Sequence, residues 1–76
     1  MSKITAAIPG DDYLLTICLD NNHSITLDIK NKLHTIRFSE LRDKQVFNAA
    51  KTDGKQVYWP SGLSIAVNEI MEIVAT

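Results

Sequence analysis

Cys18 is the only cysteine in the chain. A thiol becomes a nucleophile when a neighbouring base or positive field lowers its pKa. The two histidines, His23 and His34, are the natural bases, and neither spacing sets one beside Cys18. An inert, structural thiol is the better reading. Asp20, His23 and Asp28 carry metal-ligand chemistry, but they surround one hairpin and fall mostly on different faces. Turn chemistry accounts for them, as it does for Asp11-Asp12. The sequence has no paired carboxylates at a defined spacing, no phosphate-cradling glycine loop and no triad-like arrangement. No catalytic residue, metal or cofactor is expected: catalysis is unsupported by these motifs, and a non-enzymatic role is the expectation.

Two groups remain that could bind. Lys30, Lys32, His34 and Arg37 are the only local basic cluster, and on an extended segment the first three would share a side. A nucleic-acid surface would join such a stripe to exposed aromatics or a recognition helix. The nearest aromatic, Phe38, reads as core. The chain has 8 Lys and Arg against 9 Asp and Glu, a formal net charge of -1. A solvated loop face is therefore the better reading, and direct nucleic-acid binding is not expected. Trp59-Pro60-Ser61-Gly62 is the most distinctive patch. Trp59 reads first as the largest core side chain and second as a partner contact. If it packs inward, Tyr58 points to the opposite face of its strand. Tyr58, Trp59, Pro60 and Gly62, together with Leu14, form the candidate contact set.

The elements that must position these residues are legible from periodicity. Ile4, Ala6 and Ile8 alternate as a strand, and Pro9-Gly10-Asp11-Asp12 is turn chemistry. Tyr13 to Leu19 and Ser24 to Ile29 alternate likewise, joined at Asp20-Asn21-Asn22. A two-residue loop at Asn21-Asn22 would split the apolar face. A three-residue loop from Asp20 to Asn22 instead pairs Leu19 with His23, Ile17 with Ile25, Leu15 with Leu27 and Tyr13 with Ile29. It places Asn22 in the left-handed conformation that asparagine tolerates. Pairing Ile8 with Tyr13 then brings Ala6 and Ile4 onto the same apolar face.

The second half continues the domain. Ser39 and Asp43 are candidate N-caps of short helical turns, with Phe38, Leu41, Val46 and Phe47 facing the sheet. Asp53-Gly54 is the strongest short hairpin signal, between Ala49 to Thr52 and Lys55 to Trp59. Leu63 to Ile65 adds a further short strand. Val67, Ile70, Met71 and Val74 recur at helical spacing, and Ile73 widens that stripe. The expected fold is a single α+β domain over residues 1–76. It has a mainly antiparallel sheet, made of an N-terminal meander and a C-terminal hairpin, with short helical turns and one C-terminal helix.

The run from Tyr13 to Gly62 resembles the bacterial domain-of-unknown-function family 2442. Tyr13-Leu14-Leu15, Leu19 before the turn and Asp28-Ile29 carry the likeness, with Phe38, Leu41-Arg42-Asp43 and Phe47, then Val57, Trp59-Pro60 and Gly62. Asn22 stands where that family often has glycine. The resemblance implies a compact α+β fold and no established catalytic residues. It also implies relatives joined to a helix-turn-helix module, and relatives encoded beside toxin–antitoxin-like partners. This chain has no room for a helix-turn-helix, so a DNA role would need a partner.

These readings converge on a small non-catalytic bacterial protein, an interaction or accessory module of antitoxin-like kind. Its partner would be another protein or a second copy, engaged through a sheet edge or the Tyr58–Gly62 region. The outer side of the second strand, with Leu14, Thr16 and Cys18, is left for such contact. Two alternatives stand beside it: a nucleic-acid-associated regulator acting with a partner, and a small-ligand domain near Trp59. No apolar run reaches the roughly 18–20 residues of a membrane span. No signal-peptide pattern follows Met1-Ser2. A lone cysteine suits a reducing cytoplasm, so a cytoplasmic protein is expected.

Overall fold

The computed structural model describes residues 3–75, with side chains described as far as residue 72. The expected helix-stripe side chains of Ile73 and Val74 lie outside the described residues. The described residues form six strands: β1 (Ile4–Pro9), β2 (Leu14–Leu19), β3 (Ser24–Asp28), β4 (Lys51–Thr52), β5 (Gln56–Tyr58) and β6 (Ser64–Ala66). Helix α1 (Lys44–Phe47) lies between β3 and β4, and α2 (Val67–Ala75) follows β6. Single 3-10 turns form at Asp11–Tyr13, Ile29–Lys32 and Ser39–Arg42. The strands make two antiparallel three-stranded sheets, β1-β2-β3 and β4-β5-β6. The class is α+β. The C-terminal hairpin gains β6 as a third strand and forms a sheet of its own. The Ile4 N–H donates to the Gly54 carbonyl at 2.9 Å, tying the first sheet to the tip of that hairpin.

The β2–β3 register follows from keeping apolar residues on one face. Leu15 pairs with Leu27 and Ile17 with Ile25. The Leu19 N–H donates to the His23 carbonyl at 2.8 Å, closing a three-residue loop in which Asn22 has φ 68. Leu15, Ile17 and Leu27 are buried beneath this register.

The β1–β2 register departs from expectation. Ile8 lies opposite Thr16, not Tyr13, and is 52% exposed. Ala6 lies opposite Cys18, on the outer face. Two local features account for the change. Asp12 (φ 56) and Tyr13 (φ 61) are consecutive left-handed residues, so β2 starts at Leu14 and Tyr13 leaves the ladder. A bulge between Ile4 and Ala6 then inverts the alternation, since one extra residue flips every later side chain. Ile4, Ala7 and Pro9 consequently share the inner side with Leu19, Ile17 and Leu15. The expected Tyr13–Ile29 pairing is likewise absent, because Ile29 begins a 3-10 turn.

The connections close the core. Asp43 caps α1, its carboxylate accepting the Gln45 N–H at 3.0 Å. Ser39 is not a cap: it lies inside a 3-10 turn and its hydroxyl donates to the Ile36 carbonyl at 3.0 Å. Phe38, Leu41 and Phe47 are buried, and Val46 packs against them half-buried. Thr52 pairs with Val57, so Asp53-Gly54 opens a four-residue connection. There the Asp53 carboxylate accepts the Lys55 and Gln56 N–H groups at 2.9 and 3.1 Å. Trp59 and Leu63 close a second three-residue loop, with the Trp59 N–H donating to the Leu63 carbonyl at 2.9 Å and Gly62 at φ 101. Ile70 of α2 is buried in the same core, Val67 packs beside it and Met71 is exposed.

Candidate interaction surface

The first sheet turns one face to the core and one to solvent. The strand pairing places Ala6, Cys18 and Ser24 in one cross-strand row of the outer face, and Ile8, Thr16 and Thr26 in the next. Leu14, opposite Asp28, lies one step beyond, diagonal to Ile8. Leu14 is 40% exposed, so two large aliphatic side chains meet water side by side. Cys18 is half-buried and free. The three strands hold a single charged residue, Asp28, although the chain has 17 charged residues in all. A wet sheet face ordinarily alternates apolar with polar or charged residues, and this one is nearly uncharged.

The edges of that sheet differ. β1 carries Pro9 and a bulge, and its Ile4 N–H is bonded to Gly54. β3 is a regular five-residue strand without proline, glycine, lysine or bulge. Among the described residues no strand pairs with its far side.

The other predicted contacts do not gather there. Trp59 follows the first of its two readings and leaves the contact set: it is 1% exposed, and the indole N–H donates to the Phe47 carbonyl at 3.1 Å. The largest apolar ring in the chain is needed where α1 and the second sheet meet, and its one polar atom is bonded there. It is core, not contact. Tyr58 is half-buried on β5 between Lys51 and Ser64, and Pro60 and Gly62 are exposed in the following turn. These three belong to the second sheet, and Leu14 to the first.

The basic cluster does not form a stripe. Lys30 to Arg37 is turn rather than extended chain. Lys30 pairs with Asp12 at 3.0 Å, which raises the lysine's pKa chiefly through that hydrogen bond. Arg37 makes a two-pronged pair with Glu69 at 2.6 and 3.1 Å, donates to the Ser64 carbonyl at 2.7 Å and lies over the Phe38 ring. The hydrogen bond from Arg37 is the main cause of the lowered Glu69 pKa, followed by the Ala66 N–H. Lys32 is half-buried and His34 exposed. Two of the four residues, Lys30 and Arg37, are thus paired within the fold.

Two grooves accompany these features. One, of about 620 Å³, lies between the Pro9–Tyr13 turn and α1, with Lys44, Phe47 and Asn48 as its other wall. The second, of about 310 Å³, runs past Lys32, Phe38 and the Arg37–Glu69 pair. Among the described residues no three His, Cys, Asp or Glu side chains are grouped to hold a metal ion. Asp20 and His23 are exposed at the hairpin tip, and Asp28 accepts from Asn31 at 2.8 Å. Among the described residues no helix is long and apolar enough to cross a membrane.

Sequence reasoning missed the exposure of Ile8 and the contrast between the two edges. Pro9 marked β1 as the blunted edge, and the lack of any such residue from Ser24 to Asp28 was a readable signal for β3. The left-handed Asp12-Tyr13 pair left no comparable trace. Comparison with protein-family models, with curated proteins and with solved structures gives no match.

Proposed function

We propose that this chain is a small non-catalytic interaction module, a bacterial cytoplasmic accessory protein of antitoxin-like kind, working by binding another protein. The observation that carries the reading is the nearly uncharged outer face of the first sheet, with Ile8 of β1 and Leu14 of β2 exposed on it and the far edge of β3 unpaired among the described residues. Exposed apolar side chains mark contact surfaces, and an unpaired strand edge is what strand-addition partners use. The likeness of Tyr13 to Gly62 to family 2442 supports it, since that resemblance implies relatives encoded beside toxin–antitoxin-like partners and no established catalytic residues. The test is co-purification with the product of the adjacent gene. Retention that is lost in Ile8→Lys and Leu14→Lys variants supports the module. Repeated absence of a retained product argues against it.

The nucleic-acid alternative has less support, because Lys30 and Arg37 are already paired with Asp12 and Glu69. A gel-shift series at low salt that stays flat removes it. The small-ligand alternative rests on the groove beside Tyr13, whose wall residue Phe47 also accepts the Trp59 indole bond. Amide-shift perturbation confined to residues 9–13 and 44–48 on titration with small metabolites would favour that reading over the first.

A further inference from the structure

We propose that the open edge of β3 pairs with the same edge of a second copy, antiparallel and centred on Thr26, to make a continuous six-stranded sheet. This rests on the interaction-module reading and names the partner of that surface.

The argument starts from which backbone groups are unused. The Leu19 N–H bonds the His23 carbonyl, so Leu19–His23 is a hydrogen-bonded pair. Bonded pairs recur every second residue in an antiparallel ladder, so Ile17–Ile25 and Leu15–Leu27 are bonded too. The N–H and C=O groups of Ile25 and Leu27 therefore point to β2. Those of Ser24 and Thr26, and the N–H of Asp28, point outward. Free proteins blunt such edges with proline, lysine, bulges or very short strands. β1 has two of these devices, and β4 and β6 are two and three residues long. β3 has none.

The strand is also complementary to itself. With Thr26 on the two-fold axis, each Thr26 exchanges both backbone bonds with its symmetry mate. Each Asp28 N–H meets the Ser24 carbonyl of the other copy. Asp28 faces serine, not the second Asp28. Sliding by one register step leaves two outward residues paired instead of three, and a register centred on Asp28 sets two carboxylates opposite each other, which is destabilising. On the inner side Ile25, half-buried in one copy, comes opposite Leu27 of the second and is covered. A five-residue edge buries less than the roughly 1,200 Å² of a standard stable interface, so the association is weak and concentration-dependent.

The self-pairing of Thr26 supplies the test. Thr26 is exposed, so Thr26→Lys and Thr26→Glu leave the core untouched, which circular dichroism checks. Sedimentation equilibrium is run on the full chain from roughly 10 μM to 1 mM, the range for a small interface. The wild type is expected to dimerise across that range. Each variant alone sets like charges face to face on the axis and is expected to dissociate about tenfold or more readily. An equimolar mixture of the two is expected to recover association, since lysine then faces glutamate. In the wild type, exchange of the Thr26 and Asp28 amides slows as concentration rises. A monomeric wild type at 1 mM overturns the proposal, and so do Lys and Glu variants that dimerise as well as the wild type. A monomer that still retains the adjacent gene's product refutes the self-pairing and leaves the interaction-module reading standing. A dimer that retains no other protein does the reverse for any second partner.

Discussion

Replacing Trp59 by phenylalanine tests whether the most distinctive side chain of the sequence works inside the fold. Trp59 is the single tryptophan and is 1% exposed. Its indole N–H donates to the Phe47 carbonyl, which also accepts the Ala50 N–H at 3.3 Å. Phenylalanine keeps one ring, loses the donor and leaves part of the space empty. The lost volume costs about 1–2 kcal/mol, below the 3–5 of a full truncation to alanine. The lost hydrogen bond adds about 1 kcal/mol, at the low end because Ala50 still satisfies the carbonyl. The expected total is about 2–3 kcal/mol, against roughly 4–11 kcal/mol of stability for a domain of this length. Urea denaturation reads the change as a lower midpoint at unchanged slope. Tyr58→Ala, on the opposite face of β5, is the control and costs about 1 kcal/mol or less, the value of a cross-strand pair. The sole indole should also emit as a buried one in the wild type and resist acrylamide quenching. A Trp59→Phe loss below about 0.5 kcal/mol, the level of an ordinary surface change, would refute the assignment of Trp59 to the core.

Three further outcomes follow from the geometry. At Asn22, held at φ 68, Asn22→Val costs about 1–2 kcal/mol from left-handed strain, whereas Asn22→Gly stays within about 1 kcal/mol of the wild type. Equal thermal midpoints for the two variants would contradict that conformation. Glu69 and Asp53 are both lowered below their ordinary values of 4.5 and 3.8. Their stabilisation is therefore complete above those values and is lost as pH falls through the lower folded values. Glu69→Gln is expected to flatten the acid limb of a stability–pH profile at a cost of about 0.5 kcal/mol at neutral pH, small because both partners are partly exposed, and an unchanged limb would speak against the Arg37 pair. Partner association through the outer face of the first sheet should change little between low and high salt, because those strands hold one charge. A steep fall with salt would point to phosphate contacts instead.

The sequence disclosed most where side chains repeat and least where the backbone departs from repetition. Alternation alone set the β2–β3 register, because only one loop length kept Ile17 opposite Ile25. The same reasoning explains the Trp59–Leu63 loop, where Gly62 occupies the position that Asn22 holds in the first hairpin. Alternation failed in β1 because a bulge adds one residue that no residue type announces, and Ile8 changed faces. It failed at Asp12 and Tyr13 because the turn is held by distant partners. The Tyr13 hydroxyl bonds the Arg42 carbonyl and its ring meets Phe47 edge-on at 5.3 Å. The basic cluster misled for a related reason: Lys30 and Arg37 are neighbours along the chain but pair with Asp12 and Glu69, 18 and 32 residues away.

The split into two sheets decides where a chain of this size can carry function. Each three-stranded sheet buries one face against the shared core, through Leu15, Ile17 and Leu27 in the first and Val57 and Ile65 in the second. Helix α2 contributes Ile70 to that core from beyond β6, and Arg37 links its Glu69 to the second sheet through Ser64. Among the described residues the first sheet receives no such bracing on its outer side. There the usual alternation would place charges, which keep a wet face soluble and repel stray edges. Instead every charged residue but Asp28 lies outside these three strands, and Thr16, Cys18, Ser24 and Thr26 accompany Ile8 and Leu14 on the outer face with small side chains. Small residues permit close approach of a second surface, and an uncharged face lowers the desolvation cost of meeting one. The core claims most of the large side chains of both sheets, and Ile8 and Leu14 are the exceptions that the first sheet leaves exposed.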